Sequence, residues 1–143
     1  MKNKFIPNNI NSYKDIFEEK VRWGDTDGYN HVNNVSISRY FESARVNIIR
    51  KLETDKHSFV LVHFNIDYLD QIFYPSIINI GTSLKRVGNK SITFDQAIFV
   101  DNKCKSVAQS ILAYADIKEK KSYNITEITK KHLLDKYGAS DEI

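Results

Sequence analysis

Hydrophobic and polar positions in this chain follow two different repeats. Between Val35 and Leu52 the apolar residues recur every three or four positions, the period of a helix with one apolar face. On either side of that segment apolar residues alternate with polar ones, which is typical of half-buried strands. The pattern predicts a strand over Phe17–Trp23, the helix, four further strands and a short helix from Thr126. The apolar face of the long helix consists of Ile37, Tyr40, Phe41, Ala44 and Ile48.

Turn-forming residues predict how the later strands are connected. Gly88-Asn89 separates the second and third of the four runs, and Asp101-Asn102-Lys103 separates the third and fourth, so these strands should be antiparallel neighbours. A sheet of about five strands with one long helix must bury the helix against one sheet face. The other face is apolar enough for us to expect a second subunit over it. The predicted fold class is α+β.

Length and composition favour one domain. The chain has 143 residues, enough for a core of its own. Residues 1–15 are rich in Asn, Lys and Ser, and we expect a loose N-terminal arm there. The C-terminal helix should be anchored by Ile128, Leu133 and Leu134 and should stop at Gly138. We therefore expect a single domain over residues 1–143.

Charge and cysteine content exclude several classes of function. The net charge is only +3, and Lys and Arg are interspersed with Asp and Glu, which argues against a nucleic-acid-binding surface. Cys104 is the single cysteine, so a disulfide within the chain is impossible and a reducing, cytoplasmic location fits. We expect neither a secretory signal nor a membrane span, because the first residues lack a long apolar stretch and no apolar run reaches the length of a span. No histidines have metal-ligand spacing with a cysteine or carboxylate, so we expect no metal site.

The richest segment chemically is V-R-W-G-D-T-D-G-Y-N-H-V-N-N, residues 21–34. It joins the first strand to the long helix and brings two aspartates, a histidine and two asparagines to the helix N-terminus. That terminus offers free backbone N–H groups and the positive end of the helix dipole. A carboxylate beside such donors can attack a carbonyl carbon, or activate water towards it, while the donors bind the developing oxyanion.

The segment and the helix sequence R-Y-F-E-S-A-R, residues 39–45, together resemble a known signature. It is that of the 4-hydroxybenzoyl-CoA thioesterase branch of the hotdog-fold thioesterases, D-x-D-x-x-G-H-V-N-N followed by Y-F-E-x-A-R. The resemblance implies a hotdog fold, an antiparallel sheet wrapped around one long helix. It also implies hydrolysis of acyl-CoA thioesters at a site between two subunits whose sheets join edge to edge.

Carried over residue by residue, the resemblance assigns roles in this segment. Asp27, the second Asp of D-x-D, would be nucleophile or general base; the alternative is a carboxylate that only caps a loop turn. His31 would polarise the thioester or move a proton; the alternative is a hydrogen bond that locks the loop. The backbone N–H of Asn34 would face the thioester oxygen. Asp25 is expected to anchor the loop, and Asn33 to cap the helix.

Substrate contacts follow from the same resemblance. Arg86, Lys90 and Ser91 flank the Gly88-Asn89 turn and would meet the CoA phosphates, unless they form only a solvated hairpin tip. Ile37 would lie near the acyl pocket. Tyr29 stands where the acyl-ACP thioesterases have a functional Asn, which favours acyl-CoA as substrate.

Two further features leave alternatives open. The usual Gly before His is Asn30 here, and Asn tolerates the positive φ that such a turn requires. Glu42 on the helix is an alternative base, because another hotdog branch carries its catalytic carboxylate there.

The predicted protein is thus a cytoplasmic acyl-CoA thioesterase acting on a fatty or aromatic acyl group. It would work as a homodimer or homotetramer and need no cofactor, since CoA is part of the substrate. The alternatives are an acyl-ACP thioesterase and a non-catalytic subunit that binds acyl-CoA or an acyl carrier.

Overall fold

The computed structural model describes residues 6–138, which form a curled antiparallel sheet around a long helix. The elements are β1 Asp15–Lys20, α1 Asn34–Ile49, β2 His57–Tyr68, β3 Ile77–Val87, β4 Ser91–Val100, β5 Lys103–Asp116, β6 Lys121–Ser122 and α2 Glu127–Tyr137. The strands are arranged in the sheet in the order β1-β3-β4-β5-β2, and the two-residue β6 pairs with β5. No helix in residues 6–138 is long and apolar enough to cross a membrane.

The packing of α1 confirms the α+β prediction and the helix face that the sequence indicated. All five residues of the predicted apolar face are at most 5% exposed. The first four pack in one cluster with Ile80 of β3 and Ile98 of β4, and Ile48 packs in a second cluster with other residues of the same two strands. The helix begins at Asn34 because the Asn33 side chain accepts a hydrogen bond from the Val35 N–H at 2.9 Å. It ends at Ile49, three residues earlier than predicted.

The first strand is shorter than predicted. It ends at Lys20, and Trp23, the predicted last residue of the strand, lies outside it and is 68% exposed. The reason lies in the local hydrogen bonds. Arg22 caps a short 3₁₀-helix over Trp23–Asp25, so the backbone turns out of the sheet before Trp23 can enter it.

The N-terminal arm is not loose where the structure describes it. Residues 1–5 lie outside the described range, but Ile10 is buried against the outer sheet face and Tyr13 packs edge-on to Phe99, with ring centroids 6.3 Å apart. A Cβ on Gly81 would collide with the Tyr13 ring, so the glycine lets the arm approach closely. Part of the apolar outer face is therefore covered by the chain's own arm rather than by a second subunit.

The C-terminal helix is anchored differently from the prediction. Leu133 and Tyr137 are buried, whereas Ile128 and Leu134 are 85% and 54% exposed. Residues four apart share one face of a helix, so an α2 that buries Leu133 and Tyr137 turns the other two towards solvent. The stop at Gly138 is confirmed, since its N–H donates to the Leu134 carbonyl at 3.0 Å.

Candidate functional site

Asp25 organises the segment between β1 and α1. Its Oδ2 accepts the Arg22 N–H at 3.0 Å and the Tyr40 hydroxyl at 2.7 Å. Its backbone carbonyl accepts the Asn33 N–H at 2.8 Å. One residue therefore joins the 3₁₀-helix, the second turn of α1 and the cap of α1. The expectation that Asp25 anchors the loop through backbone N–H groups is confirmed by the bond from Arg22.

The rest of the loop is a small ladder fastened to the β2–β3 connection. Thr26 pairs with Val32, and the Asp27 N–H donates to the His31 carbonyl at 2.9 Å. The Val32 N–H donates to Ile72 at 2.8 Å, and the Asn30 carbonyl accepts the Tyr74 N–H at 3.1 Å. The backbone around Asp27 is thus held from both sides, although the segment lies at the surface.

Two positive φ angles shape the tip of this ladder. Gly28 has φ of 91° and Asn30 has φ of 67°. Asn is one of the few residues other than Gly that adopts this region readily, so the turn survives the replacement of the usual Gly. The expectation for Asn30 is confirmed.

The Asp27 carboxylate is exposed at this tip. Its Oδ1 accepts the Tyr29 N–H at 2.8 Å, which is the Asx turn that the sequence allowed as the alternative role. Within residues 6–138, Oδ2 has no hydrogen-bond partner. The two aspartates therefore differ clearly: Asp25 is occupied by structural bonds, while Asp27 keeps one oxygen available for a ligand.

The His31 ring lies beside the ladder rather than within its hydrogen bonds. It packs edge-on to Phe73, with ring centroids 4.9 Å apart, and is half-buried. His31 does hold the loop, but through its backbone carbonyl, which accepts the Asp27 N–H. The imidazole makes no hydrogen bond to any described residue, so the sequence-based alternative of a loop-locking side-chain bond is not seen within residues 6–138.

The start of α1 supplies the donors that the sequence predicted. Asn33 is the cap, as expected, and satisfies the Val35 N–H. Among residues 6–138 no acceptor is bonded to the N–H groups of Asn34 and Ser36. Both belong to the first helical turn, where unpaired donors and the helix dipole favour an oxyanion. Ile37, predicted near the acyl pocket, is buried at 4% exposure one turn further on, whereas Tyr29 is 83% exposed.

We call the segment of residues 21–34 the loop end. The predicted CoA-binding residues lie at the opposite end of the molecule; they are Arg86, Lys90 and Ser91. The loop end is tied to the start of β3, where the Val21 N–H donates to Ser76, and Arg86 is near the end of β3. β3 has 11 residues, so at about 3.3 Å per residue its ends are roughly 30 Å apart. Arg86 and Lys90 are exposed and Ser91 is half-buried. A single chain does not bring these three residues together with Asp27.

The hydroxyl of Tyr40 is the site feature that the sequence analysis missed. Tyr40 was assigned to the apolar face of α1, and it is indeed 5% exposed, but its hydroxyl reaches Asp25. A tyrosine in an otherwise apolar helix face is itself a signal, because a buried hydroxyl usually has a partner.

Residues 6–138 hold no metal-binding cluster at the loop, and the groove described below lies elsewhere. Residues 6–138 contain no group of three or more His, Cys, Asp and Glu side chains placed to hold a metal. An open groove of about 430 Å³ lies between β1 and the outer side of α1, and no predicted site residue lines it. Its lining consists of Phe17, Ser43, Val46, Asn47, Arg50 and Lys51.

Comparison with known proteins decides the family. A sequence model of the thioesterase-like superfamily matches residues 21–133, which include the loop, α1 and the whole sheet after β1. The chain belongs to this superfamily. A thioesterase from Thermus thermophilus, complexed with coenzyme A and Zn, superposes with a TM-score of 0.78 at 19% identity, over 87% of this chain and 94% of that one. The predicted hotdog fold is confirmed.

Two relatives extend the comparison to sequences. The long-chain acyl-CoA thioesterase FadM of Escherichia coli (strain K12) is 26% identical over 111 residues, 72% of this chain and 84% of FadM. The uncharacterized protein YsmA of Bacillus subtilis (strain 168) is 32% identical over 77 residues, 51% of this chain and 52% of YsmA. The match to YsmA thus spans about half of that protein.

Proposed function

We propose that this thioesterase-like protein is an acyl-CoA thioesterase of the 4-hydroxybenzoyl-CoA thioesterase type. The observation that carries the proposal is the pairing of a reactive carboxylate with free donors. Among the described residues, Asp27 keeps one oxygen without a hydrogen-bond partner, in a loop whose backbone is fastened to the start of α1, and the Asn34 N–H there has no bonded acceptor. The similarity to FadM and to a thioesterase complexed with coenzyme A supports an acyl-CoA substrate.

The chemistry follows from the charges that develop during hydrolysis. Asp27 either attacks the thioester carbonyl carbon or removes a proton from a water that attacks it. The carbonyl oxygen then becomes negative and is held by the Asn34 N–H and the α1 dipole, and the CoA thiolate leaves. In the first route, water hydrolyses the resulting mixed anhydride and restores the carboxylate. One oxyanion donor is typically worth about 3 kcal/mol of transition-state stabilisation.

Other residues of the loop end fit supporting roles. We propose that the His31 imidazole, which makes no hydrogen bond to a described residue and packs edge-on to Phe73, polarises the thioester or carries a proton to the leaving sulfur. Tyr29 is at the entrance, and Ile37 forms part of the wall of an acyl pocket. We propose that the reaction needs no metal or redox cofactor, because a thioester is already an activated acyl group. The reduced Cys104 fits a cytoplasmic enzyme.

The CoA-binding residues are proposed to come from a second subunit. Arg86, Lys90 and Ser91 are too far from Asp27 within one chain, so a shared site requires another copy. The free edge of β2 offers a surface for it, since Val60, Leu61 and Val62 are 48%, 40% and 62% exposed in succession. The opposite edge, β1, carries Glu18, Glu19 and Lys20, charges that discourage strand pairing. A homodimer joined through β2 would cover the apolar edge of the sheet and leave the charged β1 edge exposed to solvent. A homotetramer would need a second interface in addition.

A substrate panel tests this function. Purified protein is incubated with acyl-CoA thioesters of different chain length and with benzoyl-CoA, and thiol release is followed with and without added enzyme. We expect turnover of at least one acyl-CoA. Faster turnover of the matching acyl-ACP would favour the carrier-protein alternative. Saturable binding of acyl-CoA without thiol release would reject the enzyme and favour a binding subunit.

A further inference from the structure

We propose that Tyr40 is a positioning residue that holds the Asp27 loop against the start of α1 by acting through Asp25. The inference deepens the proposed function and rests on it for the catalytic consequence. The physical link itself depends only on the contacts between these residues.

The link between Tyr40 and Asp25 is one short hydrogen bond between their side chains. The Tyr40 hydroxyl donates to Asp25 Oδ2 at 2.7 Å, although the two residues are 15 positions apart in the chain. The same oxygen accepts the Arg22 N–H, and the Asp25 carbonyl accepts the Asn33 N–H. Asp25 is therefore hydrogen-bonded to both ends of the loop, at Arg22 and at Asn33. The hydrogen bond from Tyr40 connects Asp25 to α1.

The position of Asp27 depends on this tie. Asp27 and His31 are both on the ladder that begins just after Asp25 and ends just before Asn33. The oxyanion donor Asn34 follows Asn33 directly and is part of α1. A shift of Asp25 relative to α1 would therefore move the carboxylate relative to the donor. A misplacement of about 1 Å can cost about 100-fold in rate.

The hydroxyl keeps its proton across the neutral pH range. Burial, and secondly the hydrogen bond to Asp25, raise the pKa of Tyr40 above its ordinary value of 10.0. The hydroxyl is thus a permanent donor to Asp25, and the tie should not switch with pH in the neutral range.

The chain offers a matched pair of tyrosines for the test. Tyr40→Phe removes the donor and leaves the buried ring. Tyr137→Phe does the same at a tyrosine that is 1% exposed and whose hydroxyl has no partner among the described residues. Trp23 is the single tryptophan and lies in the 3₁₀-helix that Asp25 helps to cap, so its fluorescence anisotropy reports on the order of the loop.

We expect Tyr40→Phe to lower the Trp23 anisotropy and to reduce kcat about 10-fold while KM changes little, because the hydroxyl acts on geometry rather than on ground-state binding. Tyr137→Phe should change neither. Unchanged anisotropy and kcat in a folded Tyr40→Phe variant would overturn the proposal, as would a fall in thermal stability with no change at Trp23.

A second variant covers a failure of folding. If Tyr40→Phe does not fold, Asp25→Ser, which removes the carboxylate and keeps a small polar side chain, is measured in the same way and must lower the Trp23 anisotropy. If the wild-type protein hydrolyses no thioester, the proposed function fails. The anisotropy comparison of the two tyrosine variants still decides whether Tyr40 orders the loop.

Discussion

The two ends of α1 lie beside regions of opposite character. At its start, the loop end is held by backbone ladders, a helix cap and the Tyr40–Asp25 bond. Beyond its C-terminus, the hairpin end (residues 86–91) presents exposed Arg86 and Lys90 on a turn closed by the Gly88–Ser91 backbone bond. A bond-forming step needs fixed geometry, whereas binding a phosphate needs mainly charge. Under the proposed function, the loop end carries out the bond-forming step and the hairpin end contributes the binding of the CoA phosphates.

The sharpest test of the loop end is Asp27→Asn. The amide oxygen can still accept the Tyr29 N–H, so the turn is kept and only basicity and charge are lost. We expect kcat to fall by at least about 100-fold, the scale of an acid–base group. Steady-state kinetics are compared with those of Asp135→Asn, an exposed position on α2. Normal turnover in a folded Asp27→Asn protein would remove this residue from the mechanism.

If the site is shared between two subunits, as proposed, the separation of the two ends makes activity depend on assembly. Val60→Lys places a charge on the apolar edge of β2 and should therefore weaken the dimer. At protein concentrations where the wild type is dimeric, we expect the activity of the variant to be about 10-fold lower. Ile16→Lys is the matched control, since Ile16 is on the β1 edge and is 47% exposed against 48% for Val60. Sedimentation and activity are measured together on dilution. A fully active wild-type monomer of 16.6 kDa would contradict the shared site.

Subunit exchange sharpens the same point. At acyl-CoA concentrations below KM, a mixture of Asp27→Asn with Arg86→Ala should become more active than the sum of the two separate variants, because some dimers then combine an intact loop end with an intact hairpin end. Additive activities after exchange would place both ends of one site in the same chain.

At the hairpin end we expect a smaller effect on binding. Arg86→Ala should raise KM for acyl-CoA about 5-fold, equivalent to ~1 kcal/mol for an exposed ionic contact, and leave kcat nearly unchanged. The change should shrink with an acyl-pantetheine that lacks the nucleotide. An equal rise in KM for both substrates would show that Arg86 does not contact the nucleotide part of CoA.

The smallest expected effect concerns stability at acidic pH near the same end. The backbone N–H of Glu119, together with that of Lys118, lowers the pKa of Asp116 below its ordinary value of 3.8. The unfolded chain therefore takes up the proton first as the pH falls. The stabilisation is complete above about pH 4 and is lost as pH falls through the folded-state pKa. Asp116→Asn should flatten the decline in Tm between about pH 5 and about pH 3, while Asp55→Asn, on an exposed loop, should not.

The sequence predicted best what depends on a local period. The buried face of α1 and the inward residues of β3 follow from spacing alone. Spacing did not predict where β1 ends, because a helix cap at Arg22 turns the backbone out of the sheet. It also did not predict the buried face of α2, which is determined by packing against the sheet. At the site, the order of residue types in the segment from Val21 to Asn34 was enough to predict a loop there and the helix cap at Asn33. The Tyr40–Asp25 bond was not predictable, since it joins residues that only the folded backbone brings together.

The arm over the outer face has a consequence for higher assembly. Ile10 and Tyr13 occupy the surface around Ala97 and Phe99, which two sheets would otherwise use to stack back to back. A tetramer formed by such stacking must either displace the arms or include them as spacers between its layers. An arm that stays in place would therefore set the distance between the two layers of such a tetramer.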